Sequence, residues 1–192
     1  DRLVSTEDQA KYRTLALNQA KKRFPAFNLS AYFASTGAEP LLFCHYAESR
    51  HDGVYDRVTS LETLTRTIGD ALKEHNEVNS AMNLVLFGDA VRHITRISRV
   101  LKSPTAGHAL LMGVGGSGKQ SRARLAAFLC DMSISSIAVS ATYTMTDFRE
   151  DIKSLYFKTG VKQESVMFLL RDSQITQERF LVVLNDMLAS GN

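Results

Sequence analysis

Nine consecutive residues, Gly113-Val114-Gly115-Gly116-Ser117-Gly118-Lys119-Gln120-Ser121, constrain this chain more than any other stretch. Four glycines let the oxygens of a polyphosphate come up against the main chain, several backbone N–H groups converge on one point, and Lys119 sets a positive charge in front of them. Such a cradle needs a helix N-terminus behind it and a strand ahead of it. Ala109-Leu110-Leu111-Met112 is a short apolar strand candidate on one side, and Leu125, Ala126, Phe128 and Leu129 fall on one face of a helix on the other. A glycine turn serving only as scaffold gives no reason for the lysine.

The usual pattern places Ser or Thr directly after the lysine, where its hydroxyl reaches Mg²⁺. Here Gln120 stands there and the hydroxyl moves on to Ser121. About fifty residues downstream, Val166-Met167-Phe168-Leu169-Leu170-Arg171-Asp172 has the form of the partner motif, an apolar strand ending in an aspartate that faces the metal's water shell. The next position commonly holds a glutamate that polarises the attacking water. This chain has Ser173, whose hydroxyl can orient water but cannot take up its proton at neutral pH.

With 192 residues the chain can hold one domain with a sizeable core, or parts of two. No apolar run approaches the roughly 20 residues that span a bilayer, and Asp1-Arg2-Leu3-Val4 lacks the basic start of a signal peptide. A net charge of +3 without an aromatic-interleaved basic stripe gives no footprint for nucleic acid, so neither nucleic acid nor membrane is expected as a partner. Cys44 and Cys130 have no metal-ligand spacing and read as small buried hydrophobes in a reducing compartment. None of the five histidines is placed to bind a metal.

Along the chain, Thr6 is expected to cap a helix with Glu7 and Asp8 in its first turn, Lys21, Lys22 and Arg23 in its last, and Pro25 as its stop. Residues 41–44 read as a short strand and 51–56 as polar loop. A second helix starts at Thr59, with Glu62 as its capping-box partner and Leu61, Leu64, Ile68 and Leu72 as its stripe, and ends in a polar break over 74–79. A third is expected over 82–101, with Arg92, Arg96 and Arg99 as a solvated charge face. Strands over 108–112, 134–139 and 166–170 then alternate with helices over 119–130, 147–159 and 176–190. Short apolar strands alternating with amphipathic helices predict an α/β fold, a parallel sheet with helices on both faces.

Met82-Asn83-Leu84-Val85-Leu86-Phe87 with Asp89-Ala90 and Arg96-Ile97, the glycine loop with Gly-Lys-Gln-Ser, Leu169-Leu170-Arg171-Asp172-Ser173-Gln174, and the stretch from Phe180 to Gly191 together resemble the fourth AAA+ module of dynein heavy chains, closest to the axonemal type. Gln120 after the lysine, and a small residue then Gln after the aspartate, belong to that family's own pattern. Arg171 and Gly88 depart from it, standing where a small polar residue and an acid are usual.

The resemblance implies a P-loop NTPase fold that is incomplete in this chain: residues 1–40 ending the preceding module, 41–59 a connector, and 60–192 the first part of an AAA+ large subdomain. It implies ATP or ADP with Mg²⁺, held by Gly113, Val114, Gly115, Gly116, Ser117, Gly118, Lys119, Gln120 and Ser121. Gln120, Ser121 and Asp172 would manage the metal, Ser173 would stand in place of the catalytic glutamate, and Val58 would wall the adenine. Neighbouring modules of the same heavy chain, microtubules, and indirectly intermediate and light chains are the implied partners, in the cytoplasm, the cytoskeleton and the axoneme of cilia or flagella. The implied function is a regulatory or structural nucleotide site of a motor with weak or absent hydrolysis. An active ATPase module, a stand-alone P-loop kinase and a non-binding scaffold are the rivals.

Overall fold

The computed structural model describes residues 4–29, 42–47, 53–104 and 107–190. The chain divides into two compact units, Asp1–Leu42 and Phe43–Asn192. The first contains α1, Thr6–Arg23, with the expected acidic first turn and basic last turn. Its cap is Ser5 rather than Thr6: the Ser5 hydroxyl accepts from the Asp8 backbone N–H at 3.5 Å. Two adjacent hydroxyl residues compete for that place, and the one three residues before a free N–H takes it. The predicted loop around Gly37 and Pro40, Leu41 of the predicted strand, and residues 51–52 of the predicted loop lie outside the described residues.

The second unit opens with β1, Phe43–Cys44, antiparallel to β2, Asp56–Arg57, so Asp56 belongs to a ladder and not to the loop expected there. Tyr46, fully buried, fastens this segment to a helix by donating from its hydroxyl to Ser98 Oγ at 3.0 Å. Cys130 Sγ donates to the Ser98 carbonyl at 3.7 Å. Burial pushes the Cys44 and Cys130 thiols up to about 11, as small core hydrophobes should behave.

Helix α2, Leu61–Val78, is capped by Ser60, which accepts from Thr63 N–H at 3.4 Å, and not by the expected pair of Thr59 and Glu62. It also runs through most of the polar stretch expected to break it, because His75 is buried on its inner face with Leu64, Ile68 and Ala71. The third helix, α3, is Gly88–Leu101, six residues shorter at its start than expected. Residues 82–87 are not helical, and Phe87, the last of them, is extended. Asn76 holds the first of them: its Oδ1 accepts from Met82 N–H at 2.8 Å and its Nδ2 donates to Met82 O at 3.1 Å, satisfying backbone groups that a helix would otherwise need to pair. Arg92 is half-buried and pairs with Asp89 at 2.8 Å, while Arg96 and Arg99 are exposed, so the solvated face expected of the stripe holds for the last two.

Helix α4, Lys119–Leu129, precedes β3, Ser133–Ser135; α5, Met145–Tyr156, then leads to β4, Val166–Phe168. β3 and β4 pair in parallel, Ser133 opposite Val166 and Ser135 opposite Phe168, with a helix in the crossover as predicted. Alternate residues of these strands feed two cores. Met167, Ile134 and Leu169 pack with Ala123 and Ala127 of α4; Phe168 and Leu170 pack with Phe148 and Ile152 of α5 and Phe180 of α6, Arg179–Ser190. The sheet is thus covered on both faces.

Residues 108–112 take no regular secondary structure and join no ladder among the described residues, contrary to the strand expected there. Leu111 packs against the α4 core, whereas Leu110 and Met112 are each 84% exposed. The ladder over 134–139 is likewise shorter than expected. α5 starts two residues before Asp147, since Thr144 is the cap and Asp147 closes the capping box on Thr144 N–H at 2.7 Å. α6 starts three residues later than expected, and a 3₁₀ turn, Asp172–Gln174, precedes it. No helix of the described residues is long and apolar enough to cross a membrane.

Candidate phosphate-binding site

The glycine loop sits between the segment ending at Met112 and the first turn of α4. Gly113, Gly116 and Gly118 have φ of 152°, 74° and 73°, where a side chain is strained, and Gly118 is the left-handed cap residue of α4. Gly118 O accepts the first helical bond, from Arg122 N at 2.9 Å. The N-terminal N–H groups of α4 therefore end at the loop with no side-chain cap upon them.

Lys119 folds over the loop. Its Nζ donates to Gly113 O at 2.7 Å, Val114 O at 2.6 Å and Ser117 Oγ at 3.2 Å. Those contacts hold the ammonium at the mouth of the loop, where phosphate oxygens can replace the carbonyls as stronger, charged acceptors. A Cβ built on Gly115 or Gly116 meets no atom within 4 Å, so the loop faces open space there. These features fit a polyphosphate: uncapped helix N–H groups, a positive charge beside them and room in front.

The loop's flank was not legible in the sequence. Leu84, on the segment pinned by Asn76, comes within 3.6 Å of where a Gly118 Cβ would lie. Beyond it, the Arg122 guanidinium lies 5.6 Å over the exposed Phe87 ring, and its buried Nε has no hydrogen-bond partner among the described residues. An arginine three residues after the lysine, on the same helix face, was the available signal.

Asp172 begins the 3₁₀ turn after β4 and is exposed, with Ser173 exposed beside it. The Asp172 carboxylate makes no hydrogen bond or ion pair with the described residues. Two leucines bring this turn and the loop to the same core: Leu111, two residues before Gly113, and Leu169, three before Asp172, both pack on Ala123, Ala127 and Met167. Ser121 is half-buried in the first turn of α4 and Gln120 exposed. No group of three or more His, Cys, Asp or Glu residues converges among the described residues. One free carboxylate and a hydroxyl fit Mg²⁺, which binds through one or two carboxylates plus substrate phosphates. Val58 is buried at the junction of β2 and α2. A separate cavity of about 760 Å³, lined by His45, Tyr55, Arg99 and Lys102 among others, lies at the far ends of α3 and α4 from the loop.

A glycine loop at a helix N-terminus, a parallel ladder covered on both faces and an aspartate turn at the ladder's end define a P-loop α/β protein. Residues 82–192 match the family described as the P-loop containing dynein motor region D4, and the chain belongs to that family. Over its full length it is 50% identical to the dynein alpha chain of the flagellar outer arm of Chlamydomonas reinhardtii and 43% identical to human dynein axonemal heavy chain 17. Over 79% of its length it is 51% identical to human dynein axonemal heavy chain 9. The chain spans only 3–4% of the length of these relatives. The AAA+ P-loop fold class expected from the sequence is therefore the right one.

Proposed function

We propose that this segment is a nucleotide-holding module of an axonemal dynein heavy chain, binding ATP or ADP with Mg²⁺ as a regulatory or structural ligand and hydrolysing ATP slowly. The observation that carries the reading is the Lys119 ammonium poised over an open glycine loop at the uncapped start of α4. Lys119 and the N–H groups of residues 115–120 hold the β- and γ-phosphates, and Val58 walls the base. Ser121 or Gln120, with Asp172, would hold the metal, which would supply charge neutralisation at the phosphates. Ser173 orients a water without accepting its proton, so turnover is slow. The names of the relatives support an axonemal setting in a flagellum; microtubules as the track and neighbouring modules of the same heavy chain as contacts are what membership of a dynein motor family suggests.

Equilibrium binding of a fluorescent ATP analogue to the intact heavy chain tests this. With the other nucleotide sites silenced, Lys119→Ala should weaken binding at least tenfold, about 1.4 kcal/mol, through loss of a charge-assisted contact. Unchanged affinity would favour a loop kept as scaffold.

A further inference from the structure

The turn that presents Asp172 is built around a side chain for which the sequence offered no role. In the parallel ladder, Ser133 N donates to Ser165 O at 2.9 Å and Leu169 N to Ser135 O at 2.8 Å. Parallel bonds alternate in direction along the ladder: Ile137 N to Leu169 O would come next and is not made, and after it Arg171 N and the Ile137 carbonyl would pair. They do not bond to each other. Arg171 N donates to Gln174 Oε1 at 2.7 Å, and Gln174 Nε2 donates to Ile137 O, with a weaker contact to Ser136 Oγ at 3.3 Å. The Gln174 amide thus bridges the Arg171 N–H and the Ile137 carbonyl in the place of a direct ladder bond. It does so at the residue before Asp172. Gln174 is only 2% exposed, and Gln174 N donates to Arg171 O at 2.9 Å, closing the turn on itself.

We propose that Gln174 is a positioning residue for metal-dependent nucleotide binding: its inserted amide ends the sheet early and aims the Asp172 carboxylate and Ser173 hydroxyl toward the glycine loop. Three features carry this. Both polar ends of the amide are engaged, the two backbone groups it joins would pair directly if the ladder ran on, and the freed residues are the carboxylate and hydroxyl after β4. A glutamine kept for packing has no need to split a ladder. The inference rests on the nucleotide reading above and adds that the geometry of Asp172 depends on residue 174.

The test uses the intact heavy chain with its other nucleotide sites silenced, and compares ATP affinity in EDTA with affinity in Mg²⁺. Gln174→Met keeps the volume and removes the amide; Gln174→Ala also lets Arg171 N and Ile137 O close directly. Both variants should bind ATP in EDTA within twofold of the parent, yet lose about tenfold or more of the affinity that Mg²⁺ adds, the size expected when a ligand's orienting partner is removed. With Mn²⁺ in place of Mg²⁺, the electron paramagnetic resonance spectrum of the bound metal should change in both. Equal losses in EDTA and in Mg²⁺ would mean that Gln174 only supports the fold, and would overturn the proposal. So would an unaltered Mg²⁺ increment. Lys119→Ala in the same assay separates the two claims: no loss in that variant sinks the nucleotide reading itself, whereas a loss there beside an intact Mg²⁺ increment in the Gln174 variants sinks only the positioning role.

Discussion

Gly115→Ala separates a loop shaped for a ligand from one shaped only for the fold. Gly115 is not among the glycines with positive φ, and a Cβ placed on it meets nothing within 4 Å. The methyl group therefore introduces no clash, and loss of unfolded-state freedom should stabilise the chain by about 0.4–1 kcal/mol. Gly116 is the matched contrast. Its surroundings are equally open, but its φ is 74°, so Gly116→Ala should destabilise by about 1–2 kcal/mol from backbone strain alone. If the open space in front of Gly115 is where phosphate oxygens sit, the methyl displaces them, and ATP affinity should fall at least tenfold, about 1.4 kcal/mol, while stability holds or rises. Urea denaturation and equilibrium nucleotide binding on the same preparation read the two quantities. Unchanged affinity in a stable Gly115→Ala protein would mean that the space belongs to solvent and that no phosphate sits there.

Two further outcomes follow from the scaffold around the loop. Asn76→Ala removes both hydrogen bonds to Met82 and leaves its N–H and carbonyl short of partners, which should lower stability by about 2 kcal/mol in urea denaturation; a loss under 0.5 kcal/mol would mean that the segment is held some other way. The Cys44 and Cys130 thiols have folded values near 11 against 9.0 unperturbed, so the folded state keeps protons that the unfolded state releases. Their contribution is fully present below pH about 9 and is lost as pH rises toward 11, so stability should fall over that window and Cys→Ala at both positions should flatten the fall.

Legibility in the sequence followed how local the cause was. The glycine loop, α4 behind it and the parallel pairing of β3 with β4 all came from spacing within short windows, and the structure has each of them. The helix predicted over 82–87 failed because that stretch is apolar nearly throughout. Met82, Leu84 and Leu86 are half-buried while Asn83, Val85 and Phe87 are exposed, a period of two that the composition hides. Its cause, Asn76, lies six residues upstream on another element. Helix starts at Ser5 and Ser60 were missed by one residue because each cap has a hydroxyl neighbour. The strand expected over 108–112 failed for another reason: its apolar pattern is strand-like, but a ladder needs a partner, and none of the described residues supplies one. At the site, the loop and Asp172 were readable as motif and strand end. The insertion of Gln174 was not, because it depends on the register of two strands more than thirty residues apart in the chain.

The most direct test of the account is nucleotide retention and turnover at this one site. The intact heavy chain, with the lysines of its other P-loops changed to alanine, is purified, and the bound nucleotide is released by denaturation and quantified. Labelled ATP is then followed through a single turnover. Close to one nucleotide per chain is expected, lost on Lys119→Ala, with hydrolysis slower by on the order of 10²–10⁴ than at a site carrying the catalytic glutamate, and a large gain in rate on Ser173→Glu with little change in affinity. An empty site, or hydrolysis as fast as at a glutamate-bearing site with Ser173 in place, would contradict it.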